Sequence, residues 1–189
     1  MPRLGMLSSG VVVDAIAAAR VRKLLVGAQQ PLIEWLGREG HWRLVVTMAR
    51  IQSGVREVPE LLLWLAESEH IQAVFRHIRV FMTGDTIPPE PVRDLRHEDG
   101  DRVRRALLRS ISQVIGWIED ERNTAELLSV LRDIGETVNM GVIVKRLERD
   151  AGHRLAQQAF QSIRLLMPNG RPNSGFDGLA GLAARSLLI

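Results

Sequence analysis

Glu67 and His70 stand three residues apart, the spacing that sets two metal ligands on one face of a helix. A di-iron bundle needs two such Glu-x-x-His motifs and two further inward glutamates. The second motif is missing: Asp94 and His97 have the spacing but fall among prolines and charges. His70 and His77 share a face two turns apart, too far for one ion. With five histidines in 189 residues, the reading is no metal and no cofactor. The histidines then belong to the surface or to satisfied positions in the core.

Acyl- and phosphoryl-transfer chemistry finds equally little support. The glycines are scattered singly and follow no strand, so neither a nucleophile elbow, a P-loop nor a dinucleotide fingerprint can be built. The serines lack a nucleophile's context. The absence of cysteine removes thiolate ligands, disulfides and a cysteine nucleophile. The expectation is a chain that is not an enzyme and has no catalytic residue.

Arginine is the remaining reactive type. Arg102, Arg105 and Arg109 form a stripe beside Arg104, and Lys145, Arg146 and Arg149 form a second basic group. Such stripes neutralise phosphates, so an Arg-rich helical nucleic-acid-binding protein is the alternative function. Glu98, Asp99, Asp101, Glu148 and Asp150 lie close by and favour salt-bridged, solvated faces instead. Nucleic acid is therefore the disfavoured partner. The net charge of +3 is mild, and the pI near 10.4 misleads. Lys23 and Lys145 are the only lysines and tyrosine is absent, so little can lose a proton below about pH 10.

These residues must be positioned by helices. The chain is 46% hydrophobic but only 4% aromatic, which predicts one domain with an aliphatic core. The spacing predicts a helix over 11–28, ended by Gly27 and Pro31, then a short helix over 31–37. A further helix over 41–54 turns Trp42, Val45, Val46, Ala49 and Ile51 inward. The longest pattern runs from Pro59 to Phe81 as one helix, with Leu61, Leu62, Leu65, Ile71, Val74, Ile78 and Phe81 on or near one broad apolar face. Residues 83–100 hold three prolines and read as a linker. Beyond it, 101–118 is amphipathic, and Asn123 to Glu126 has the spacing of a capping box opening a helix with Leu127, Leu128, Leu131, Ile134 and Val138. Helices over 140–149 and 153–167 follow. A Glu-Leu-Leu-x-x-Leu frame occurs at Glu60 and again at Glu126, a faint internal echo.

Residues 168–175 read as a polar spacer. Phe176, Leu179, Leu182, Leu187 and Leu188 then make an apolar tail on a tether, which needs a surface to dock on. No stretch of about 18 apolar residues occurs, and Met1 to Gly5 lacks a signal-peptide pattern.

Two blocks resemble the YrhD-like family of small helical proteins. One runs from Gly40 to Phe81 and includes Val58-Pro59-Glu60-Leu61-Leu62-Leu63 and Glu69-His70-Ile71-Gln72-Ala73-Val74-Phe75-Arg76. The other is Leu127-Leu128-Ser129-Val130-Leu131-Arg132-Asp133. The resemblance implies a non-catalytic accessory subunit of a membrane-associated oxidoreductase, formate dehydrogenase-like or sulfide:quinone oxidoreductase. A third reading, a helical groove or partner-helix interaction protein, rests on the amphipathic segment 127–138.

The expected fold is all-α, an antiparallel bundle of roughly six to eight helices. Its parts are an N-terminal helical half (1–82), a linker (83–100), a C-terminal helical half (101–167) and a spacer with a tethered apolar tail (168–189). A protein partner is expected, with a peripheral membrane contact and a homo-oligomer left open. The expected location is cytoplasmic or at the inner face of the membrane.

Overall fold

A computed structural model describes residues 9–38, 40–84, 87, 89–90, 93–94, 96–150 and 154–167, with side chains from Asp14 onward. All regular structure among them is helical: α1 (Ser9–Gly37), α2 (His41–Ser53), α3 (Val58–Trp64), α4 (Ser68–Met82), α5 (His97–Glu119), α6 (Thr124–Gly135), α7 (Met140–Arg149) and α8 (Arg154–Leu166). A single 3-10 turn, Glu121–Asn123, precedes α6. The all-α class read from the sequence is correct.

One expected break does not occur, and one that was not expected does. α1 runs through Pro31 without ending. A proline inside a helix forfeits one hydrogen bond and costs about 3 kcal/mol. Here Leu25 on one side and Leu32 and Leu36 on the other are 0–1% exposed, and each such burial contributes about 1.5–3 kcal/mol. Packing outweighs the proline. Conversely, the helix expected over 59–81 is two helices. Glu67 is extended, with φ −75° and ψ 129°. Leu65 and Ile71 are both buried but six residues apart, about 240° out of phase on one helix. Only a turn between them lets both face the core.

Smaller corrections follow the same logic. α5 starts at His97 rather than Asp101, with Glu98 and Asp99 in its first turn, where carboxylates suit the positive helix end. Gly100, read as linker, lies within this helix because the buried Trp42 ring packs onto it. Asn123 does not cap α6 through its side chain. Asn139 does cap α7, accepting from Gly141 N at 3.0 Å. Ile51 and Val138, expected on apolar faces, are 66% and 83% exposed.

The described residues divide into two compact units, one drawn from 9–29 with 115–163 and the other from 30–114 with 164–167. In the first, Val21, Leu25, Trp117, Leu131, Ile143 and Ile163 belong to an aliphatic core around one indole. Arg22 joins α1 to the end of α5, donating from Nε to Ile118 O at 2.8 Å and from Nη2 to Thr124 Oγ1. In the second, α2 packs on α3 and α4. Leu36, Val45, Leu61, Leu65, Ile78 and Leu107 are 0–1% exposed there.

Candidate functional site

The histidines that suggested metal chemistry are occupied by structure. His70 stacks on Trp64, with ring centroids 4.2 Å apart and planes 8° from parallel. Its Nδ1–H donates to Trp64 O at 2.8 Å. His41 does the same six residues after Trp35, with centroids 4.2 Å apart and Nδ1 2.7 Å from Trp35 O. His97 meets Trp42 edge-on at 5.2 Å, and His77 Nδ1 lies 2.6 Å from the Gln52 side-chain amide. Each of the two Trp carbonyls belongs to a last helical turn and also accepts a long backbone bond, from Arg38 N and Glu67 N at 3.3 Å, so the imidazole supplies a second, shorter donor there. Among the described residues no group of three or more His, Asp or Glu is placed to hold a metal ion.

The basic stripe lies along the solvent side of α5. Arg102 and Arg105 pair with Asp99 at 3.7 Å and Asp101 at 2.9 Å, and Arg104 shares Asp101 at 2.6 Å. Arg109 is exposed one turn further on. Arg102 and Arg105 keep half or more of their side-chain surface in solvent, and Arg104 a quarter. Phe176, Leu179, Leu182, Leu187 and Leu188 lie outside the described residues. In segment 127–138, Leu127, Leu128 and Leu131 are 0–4% exposed. That apolar face is already used within its own unit.

Burial and hydrogen bonding perturb few ionisable groups. The Arg122 side-chain hydrogen bond, aided by the Arg122 backbone N–H, holds the Asp120 carboxyl down at about 2. The same pairing raises Arg122. Burial lowers the Arg79 and Arg164 guanidinium groups. Arg164 is 4% exposed and donates from Nη1 to Ser110 O at 3.0 Å. These shifts follow from ion pairing at Asp120–Arg122 and from burial at Arg79 and Arg164.

No protein-family model, curated protein or solved structure matches the chain.

Among the outward apolar side chains, two stand on the packed pair α2 and α4. Ile51 and Val80 are 66% and 46% exposed. Gln52 follows Ile51, and His77, the group it meets, sits one turn before Val80, so the two apolar side chains lie on neighbouring stretches of packed helices. The sequence contained the signal. Ile51 comes two residues after the buried Ala49, and Val80 two after the buried Ile78, which turns each about 200° away from the core. Counting apolar residues along 41–54, rather than their angles, put Ile51 inside.

Proposed function

We propose that the chain is a non-catalytic helical interaction subunit, and that a protein partner docks across Ile51 and Val80. The observation that carries this is the pair of exposed β-branched residues on two helices already packed together. An apolar side chain on an outward helix face contributes nothing to its own core, whereas apolar contact area is what a docking surface supplies. His77, the histidine beside this surface, is engaged by the Gln52 side chain. In this reading the successive helices form an antiparallel bundle, and the tail from Phe176 to Ile189 is a second, tethered contact for the same partner. The resemblance to the YrhD-like family makes a membrane-associated oxidoreductase the partner to look for.

The test is an affinity capture of the tagged full chain from its native cells, at low salt in mild detergent, read by mass spectrometry. An oxidoreductase recovered in near-stoichiometric amount, and lost with the Ile51→Glu/Val80→Glu variant, supports the proposal. Nucleic acid or ribosomal protein that dissociates at high salt points instead to Arg102, Arg105 and Arg109. Capture that is indifferent to the double substitution removes this surface from the account.

A further inference from the structure

We infer that the chain is a tandem array of four copies of one two-helix module, made by α1 with α2, α3 with α4, α5 with α6, and α7 with α8. The inference goes beyond the interaction proposal and stands or falls without it.

The register is set by the end of each first helix. Leu36, Leu65, Ile118 and Leu147 are 0–1% exposed. Leu36 and Leu65 are 29 residues apart, and so are Ile118 and Leu147. Four residues before them stand Leu32, Leu61, Val114 and Ile143, again 0–1% exposed. Three residues earlier still, Gln29, Val58, Ile111 and Met140 are all buried. The second helices align as well. Val45, Val74 and Leu127 each come nine residues after the register position and are fully buried. The next residues are the buried Val46, Phe75 and Leu128, and three further on come Ala49, Ile78 and Leu131, all 0% exposed. In the fourth copy the turn is three residues longer, and Ala159, Phe160 and Ile163 take these places.

Amphipathic helices would produce matching burial by themselves, but not matching residue types. Three of the chain's four tryptophans, Trp35, Trp64 and Trp117, occupy one position, just before the register residue. Six residues after each comes a side chain that returns to the tryptophan carbonyl. His41 and His70 do so through Nδ1, and Asn123 donates from Nδ2 to Trp117 O at 3.0 Å. This explains why Asn123 does not act as an ordinary helix cap. Arg50, Arg79, Arg132 and Arg164 stand directly after Ala49, Ile78, Leu131 and Ile163 in the four copies. Nothing in helix amphipathicity asks for an arginine there. Arg50 reaches Asp94 at 3.4 Å, Arg132 reaches Asp14 at 3.2 Å, and Arg164 donates to the Ser110 carbonyl. The fourth copy departs at the tryptophan position, which holds Arg146.

The array also places three of the outward apolar residues, Ile51, Val80 and Leu165, at one position. The position after the arginine is solvent-facing in every copy and holds Ile51, Val80, Asp133 and Leu165. In tandem arrays the core register is shared between copies, while outward positions are free to differ.

Two experiments on the full-length chain test the inference. Deleting residues 36–64 removes one period and joins Trp35 to Leu65, whereas deleting 36–62 leaves the following helix about 200° out of register. The first variant should keep helical circular dichroism and a single thermal transition, and the second should lose both. An in-register deletion that does no better than the out-of-register one overturns the repeat. The second experiment needs no deletion. If the three caps are one position, His41→Asn and His70→Asn should retain the wild-type Tm, while His41→Ala and His70→Ala lower it by about 2–4 °C. Asparagine that performs no better than alanine at both positions overturns the inference as well.

Discussion

Gly100 shows how one residue without a side chain can be decided by another element. It lies in α5, and a Cβ there would fall inside the Trp42 ring, which is itself 4% exposed. Gly100→Ala should therefore destabilise the protein, although alanine favours a helix by about 1 kcal/mol. Overpacking of this kind costs about 1–3 kcal/mol. Urea denaturation should show a lower midpoint, and a higher one would contradict this placement of Trp42. Asp120 makes a second residue-scale prediction. Its carboxyl is held at about 2 by the Arg122 hydrogen bond, below the unfolded value of about 3.9. A carboxyl lowered in this way favours the folded state above its unfolded pKa, and the contribution is lost as pH falls through about 2. Asp120→Asn should flatten the dependence of stability on pH between about 4 and 2. Identical slopes for the variant and the parent would show that the pairing does not persist in solution. Neither prediction was legible beforehand, because Trp42 is distant in sequence from Gly100 and because Asp120 was one acid among many.

At the scale of the element, α1 and the α3–α4 pair went opposite ways for one reason. Local signals marked a stop at Pro31, and local continuity ran through Leu65, Ala66 and Glu67. Burial decided both against local preference. Pro31 is exposed, so its ring meets solvent on the outer side of α1. Pro31→Ala should raise stability by about 1–3 kcal/mol, since it restores a helical hydrogen bond and better propensity without touching the core. A lower unfolding midpoint would mean that the proline shapes α1 in a way the fold requires. The turn at 65–67 was readable in principle. The phase slip from Leu65 to Ile71 is visible in the sequence, and so is the pairing of Trp64 with a histidine six residues later. The pairing becomes persuasive only after its geometry is seen at Trp35 and His41 too. The echo noticed at Glu60 and Glu126 belongs to a first helix, α3, in one case and a second helix, α6, in the other. It marked repetition at the wrong register.

At the scale of the whole molecule, the functional proposal rests on surface, and its prediction separates binding from folding. Ile51→Glu/Val80→Glu changes two exposed positions, so each substitution should shift stability by no more than about 0.5 kcal/mol. Partner capture should fall about tenfold or more, the expected loss when a contact worth about 1.4 kcal/mol is removed. A variant that loses stability as well as capture would show these residues to be part of the packing. No helix of the described residues is long and apolar enough to cross a membrane. By itself the sequence determined the all-helical class, most of the buried aliphatic positions, and the boundaries of α2, α7 and α8 to within a residue or two. Those follow from periodicity and caps, which act over one or two turns. Only the tertiary structure decided that Pro31 is tolerated, that Gly100 is helical, and that His41 and His70 reach tryptophan carbonyls. Each of these depends on a neighbour brought close by folding, and on packing energies larger than the local preferences they override.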